Sequence, residues 1–159
     1  MKNLNKKQII SLIKIKSPFL MIDKIKNIID LESSLGIKKI NKNSWFFKCH
    51  FINDPLMPGT LVEEAMLQTI VSTLYSNKKF SNKICLITSA KTNFYTKVSK
   101  PTTLRIYVKI LKIKKLGIET SGVVKDHKNK KIASGNYNYF ISKKWKKKKY
   151  FQLNILRLK

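Results

Sequence analysis

Sixteen residues from Thr60 to Tyr75 run without a glycine or proline and are largely apolar. Leu61 and Val62, Ala65 and Met66, Thr69 and Ile70, and Thr73 and Leu74 recur as pairs every four residues, which is the stripe of a buried helix. Pro58 and Gly59 stand at its start, where a rigid entry and bare backbone N–H groups are expected. Such a helix needs something to cover it.

The rest of the chain supplies the cover. Lys83 to Val98, Leu104 to Lys115, Ile118 to Lys125 and Lys131 to Ser142 are β-branched and aromatic runs. Turn signals separate them at Lys100-Pro101, Leu116-Gly117 and Asp126 to Asn129. Ahead of the helix, Phe19 to Ile29 and Leu35 to Ile40 read as two paired strands. Lys6 to Lys14 reads as a short helix ended by Pro18. An antiparallel sheet wrapped around one long central helix satisfies both sets of apolar faces, so the expected class is α+β. One domain over 1–142 and a Lys-rich tail over 143–159 (KKWKKKK and onward) complete the expected organisation.

Composition narrows the function classes. With 43% apolar residues in 159, the chain can pack a core, and no 18-residue apolar run predicts insertion into a membrane. No secretory signal is read at the N-terminus, where Lys14 and Lys16 interrupt the apolar run. Cys49 and Cys85 are too few for a disulfide framework, which fits a reduced, cytoplasmic chain. The net charge of +26 has two readings: a polyanionic partner, or the Lys, Asn and Ile bias of an AT-rich coding sequence. Arginine occurs only at Arg105 and Arg157, and lysines spread along the whole chain, so no specific nucleic-acid partner is expected. In the tail, Trp145 among lysines reads either as a solvated end or as an anchor on an anionic surface.

The chemistry concentrates between Trp45 and Gln68, WFFKCHFINDPLMPGTLVEEAMLQ. His50 sits in an aromatic loop, and Glu64 lies in the second turn of the apolar helix with Gln68 four residues on, sharing its face. Burial of an ionised carboxyl is costly, so Glu64 is expected to be paired or to have a raised pKa, and a raised carboxyl can donate a proton near neutrality. Histidine is the natural base beside it. Bare N–H groups at Gly59 and Thr60 could hold a developing oxyanion. Glu63 is rotated about 100° from Glu64 and faces elsewhere. His127, in a polar turn, is read as solvated.

This segment resembles the signature of β-hydroxyacyl-acyl-carrier-protein dehydratases of the FabZ type. The matching residues are His50, Phe51, Pro55, Met57, Pro58, Gly59, Leu61, Glu64, Ala65, Met66 and Gln68, with fourteen residues from His50 to Glu64. Upstream, PFLMIDKI from Pro18 to Ile25 and the run Trp45-Phe46-Phe47 are similar to the family's as well. Departures occur at Cys49, at Ile52-Asn53 where the family has Pro-Gly, and at Glu63 where it has an aliphatic residue.

The resemblance implies a hot-dog fold and a homodimer in which each site takes its histidine from one subunit and its glutamate from the other. Such dimers can associate as a trimer of dimers. It implies removal of water from a (3R)-3-hydroxyacyl thioester carried on an acidic acyl carrier protein, giving the trans-2-enoyl thioester. His50 is then the base, Glu64 the acid and Gln68 a positioning group. Gly59 and Thr60 are the oxyanion donors, and no metal or cofactor takes part. A hot-dog thioesterase and a non-catalytic acyl-binding or RNA-binding protein are the alternatives, since one fold hosts several functions.

Overall fold

The computed structural model describes residues 2–81 and 83–143. Beyond the backbone of Lys143, the Lys-rich tail lies outside the described residues. The elements run β1 (Lys2–Leu4), α1 (Lys6–Ile13), β2 (Lys24–Ile29), β3 (Ser33–Ile40), α2 (Gly59–Tyr75), β4 (Lys83–Phe94), β5 (Thr102–Ile113), β6 (Gly117–Lys125) and β7 (Lys131–Lys143). All seven strands join one antiparallel sheet in the order β1-β2-β3-β5-β6-β7-β4, with α2 packed against it. The expected α+β class is what the chain adopts.

Helix α2 is buried along most of its length, including Leu61, Val62, Ala65, Met66, Ile70 and Leu74. Burying each Leu, Val, Met or Ile side chain among them contributes about 1.5–3 kcal/mol. Two of its inward hydroxyls are satisfied locally: Thr69 and Thr73 donate to the carbonyls of Ala65 and Thr69 at 2.7 and 2.8 Å, and Thr73 meets Ser34 of β3 at 2.6 Å. Two glycines let the sheet come this close. A Cβ at Gly36 would stand 2.4 Å from Thr69 Oγ1, and one at Gly122 would stand 2.9 Å from Met66 Sδ.

Several sequence expectations need correction. Pro18 does not end α1. The helix opens with a capping box between Asn5 and Gln8 and stops at Ile13, with Lys14 left-handed at φ 59°. The strand read over Phe19 to Ile29 begins only at Lys24, because the backbone of 19–21 bonds to side chains instead of to a neighbouring strand. Residues 95–98 leave β4, and Tyr95 and Thr96 bond back to Ile132. Trp45–Lys48 forms a 3-10 turn that buries Phe46, and β1 is a strand the pattern did not suggest. Both cysteines are free thiols.

β4 is the far edge of the sheet, paired only with β7, and leaves Leu86, Ile87 and Phe94 exposed.

Candidate active site

Pro58 caps α2 without a side-chain hydrogen bond, and its carbonyl takes the N–H groups of Leu61 and Val62. The N–H groups of Gly59 and Thr60 have no hydrogen-bond acceptor among the described residues, as the first turn of a helix requires. The ring of Phe94 lies against Gly59, where a Cβ would be 3.1 Å from it, so only glycine leaves this opening its present shape.

Glu64 projects from the second turn. Burial pushes its carboxyl above the ordinary range, a hydrogen bond from Gln68 opposes the rise, and the neighbouring Glu63 charge adds to it. Gln68, 2% exposed, uses its whole amide. Its Nε2 donates to Glu64 Oε1 and to the Phe19 carbonyl, both at 2.8 Å, while its Oε1 accepts from Met21 N–H at 2.8 Å. One amide thus joins the acid to the segment before β2. From the other side, Lys38 Nζ donates to the Leu20 carbonyl at 3.1 Å and lies 3.6 Å from Asp23.

His50 follows the 3-10 turn and is half-buried, with a cis peptide to Phe51. Its Nδ1 lies 3.1 Å from the Leu56 carbonyl. A carbonyl only accepts, so Nδ1 is the donor, and Nε2 has no hydrogen-bond partner among the described residues. The ring stacks on Phe51 with centroids 3.8 Å apart. The loop holds without the Pro-Gly pair. Leu56 N–H donates to the His50 carbonyl at 2.7 Å, Phe51 N–H donates to Asp54 at 3.2 Å, and Ile52 points out at 91% exposure.

The structure brings Glu64 and Gln68 together, with Gly59 and Thr60 one turn earlier on the same helix. Within one chain it does not join His50 to Glu64 by a hydrogen bond: His50 is tied to Leu56 and Glu64 to Gln68. Glu63 faces the sheet and accepts from Thr92 on β4, a contact with no local signal in the sequence. Phe94 over Gly59 was equally invisible, because it depends on strand register. His127 sits exposed in its turn, 2.7 Å from Thr102 Oγ1. Among the described residues, no three His, Cys, Asp or Glu side chains gather as metal ligands would.

An acid fixed on a helix, an imidazole with a free Nε2 and open N–H donors together suit proton transfer next to a carbonyl.

Known proteins share this frame. A FabA-like domain matches residues 15–133. The 3-hydroxyacyl-acyl-carrier-protein dehydratase FabZ of Clostridium botulinum (strain Loch Maree / Type A3) is 36% identical over 98 residues, covering 61% of this chain and 68% of that protein. The FabZ of Bartonella henselae is 32% identical over 146 residues, covering 91% of this chain and 94% of that protein. Among solved structures, the dehydratase heterocomplex ApeI:P from Xenorhabdus doucetiae superposes with a TM-score of 0.69 at 12% identity, covering 94% of this chain and 95% of that one. A hypothetical thioesterase from Streptococcus pneumoniae TIGR4, solved with coenzyme A, superposes with a TM-score of 0.60 at 9% identity, covering 76% and 85%. At those identities the structures speak only to the fold, the hot dog, which serves both chemistries. Family membership rests on the sequence matches: the chain belongs to the FabA-like family, with the FabZ-type 3-hydroxyacyl-acyl-carrier-protein dehydratases.

Proposed function

We propose that this protein dehydrates 3-hydroxyacyl thioesters carried on an acyl carrier protein, with His50 as base and Glu64 as acid. The observation that carries the reading is Glu64 itself, a carboxyl whose proton affinity is raised by burial and whose direction is fixed by Gln68. A thioesterase would use a carboxylate to activate water at the carbonyl, whereas burial at Glu64 favours the proton donor.

The elimination uses each group once. His50 Nε2 removes the proton from the α-carbon, and the C–H electron pair moves toward the thioester carbonyl. Negative charge builds on that oxygen, where the N–H groups of Gly59 and Thr60 and the start of α2 stabilise it. As the pair returns to form the α–β double bond, the β-carbon–oxygen bond breaks and Glu64 gives its proton to the departing hydroxide, which leaves as water. Positioned acid–base catalysis of this kind contributes roughly 10²–10⁴-fold.

Because one chain keeps His50 and Glu64 on separate partners, the reading includes a homodimer whose sites combine His50 of one subunit with Glu64 of the other. The unpaired β4 edge, with Leu86, Ile87 and Phe94 exposed, supports a second copy there. A groove of about 800 Å3 lined by Lys6, Lys7, Lys24, Lys26 and Lys39 supports docking of an acidic carrier protein. No helix among the described residues is long and apolar enough to cross a membrane, and the reading places the enzyme in the cytoplasm with carrier-bound substrates.

The test is absorbance at the enoyl-thioester band when purified protein meets a 3-hydroxyacyl carrier-protein thioester. Enone formation lost in His50→Ala and in Glu64→Gln is the expected result. Release of free thiol without enone would replace the reading by hydrolysis.

A further inference from the structure

Glu63 and Glu64 are neighbours in sequence, but about 100° of helix rotation parts them. Glu64 turns to Gln68, while Glu63 turns to the sheet. Thr92 Oγ1 on β4 donates to Glu63 Oε1 at 2.5 Å and lies 2.8 Å from the Tyr137 hydroxyl on β7. Thr92 has one hydroxyl proton and gives it to Glu63, so Tyr137 is the donor to Thr92. The donors run one way, from Tyr137 to Thr92 to Glu63, and end on a group that accepts.

The chain is built into the core. Tyr137 is 1% exposed, and its hydroxyl folds back over Gly135, where a Cβ would stand 2.3 Å from it. Met66 Sδ, at 3.5 Å, is the weaker alternative for its proton. Burial pushes the Tyr137 phenol up to about 12, against the Thr92 hydrogen bond and with the Glu63 charge adding, so Tyr137 stays a donor at neutral pH.

We propose that Glu63 is a positioning residue for Glu64: oriented by the Tyr137–Thr92 donor chain on the other flank of α2, its charge keeps the adjacent Glu64 in its proton-donating form. Neighbouring carboxyls resist ionising together; Glu63 accepts from Thr92, itself backed by Tyr137, while Glu64 is desolvated and accepts from Gln68. Among the described residues, the other groups acting on Glu64 do not supply a cation. Gln68 is neutral, and so is the Phe19 carbonyl. On β7, Tyr139 is buried with its hydroxyl unbonded among the described residues, and burial pushes that phenol far up. In the proposed dimer, the base beside Glu64 is His50 of the partner subunit. The inference rests on reading Glu64 as the acid.

The test reads Glu64 directly. The chain has four glutamates, so a carboxyl-13C glutamate label gives a simple NMR titration in which Glu64→Gln assigns the Glu64 signal. Glu63→Gln keeps the shape and can still accept from Thr92 but removes the charge. The Glu64 midpoint should fall by roughly 0.5–1 pH unit. Thr92→Val retains both carboxyls and should shift the midpoint the same way by less. An unchanged Glu64 midpoint in Glu63→Gln overturns the proposal, and if that variant does not fold, an unchanged midpoint in Thr92→Val overturns it. Turnover is measured separately. Dehydration without a midpoint shift leaves the proposed function standing and removes Glu63's role. A shift without dehydration supports the coupling and removes the function.

Discussion

Gln68 Nε2 reaches Glu64 Oε1 across one helical turn at 2.8 Å while the same amide closes on the backbone of Phe19 and Met21. The Glu64 carboxyl is therefore aimed by a side chain that also holds the entry to β2. Gln68→Ala leaves the buried Met21 N–H bare, at about 1–3 kcal/mol, and takes the donor from the part-buried Phe19 carbonyl. Urea unfolding should show that loss, and turnover should fall with KM little changed, because Glu64 loses its direction rather than the substrate its pocket.

Glu64 also sets a pH dependence of stability. Its folded pKa lies above the ordinary 4.5, so the folded state holds this proton more tightly than the unfolded state. Stability from this group is complete at low pH and is lost as pH rises from 4.5 through the raised folded value. Glu64→Gln removes the titration. Thermal melts should place the variant above the native chain at neutral pH, with the gap closing as pH falls below the ordinary carboxyl range.

The glycines of the sheet are not equivalent. A methyl at Gly36 would overlap Thr69, a stiff β-branched side chain already hydrogen-bonded to Ala65, whereas a methyl at Gly117 would meet only the Tyr139 carbonyl at 3.6 Å. Gly36→Ala should destabilise by about 1–3 kcal/mol. Gly117→Ala should stay within about 0.5 kcal/mol of the native chain. Paired denaturation curves check both.

The β4 edge makes a prediction about assembly. Ile87→Lys puts a charge on an exposed apolar strand edge, where it costs the single chain little and costs an edge-to-edge pair a great deal. Sedimentation should show this variant shifted to monomer at concentrations where the native chain is dimeric. Dehydration should be lost with the dimer while the melt remains cooperative.

Much of this was legible in the sequence because it is local. The four-residue recurrence from Leu61 to Leu74 gave α2, and turn signals at Pro101, Gly117 and Asp126 marked the strands after it. Local patterns misled where the backbone found unusual partners. Phe19 to Met21 looks like strand, yet Phe19 and Met21 bond to the Gln68 side chain and the Leu20 carbonyl to Lys38. The fourteen-residue spacing of His50 and Glu64 carried identity but not distance, and one chain leaves them on separate partners. Thr92 and Tyr137 carry no motif at all. They reach Glu63 only because β4 and β7 pair in the register that sets Thr92 opposite Gly135.

The central claim is a dehydratase site shared between subunits, and mixing two dead variants tests it most directly. His50→Ala and Glu64→Gln, each inactive alone, are combined under conditions that exchange subunits, and enone formation is followed at the enoyl-thioester band. A site built from His50 of one subunit and Glu64 of the other predicts recovery of about a quarter of native activity, since half of the random dimers are mixed and each mixed dimer has one intact site of two. No recovery in a mixture shown to contain mixed dimers would contradict the shared site and the division of base and acid between the two chains.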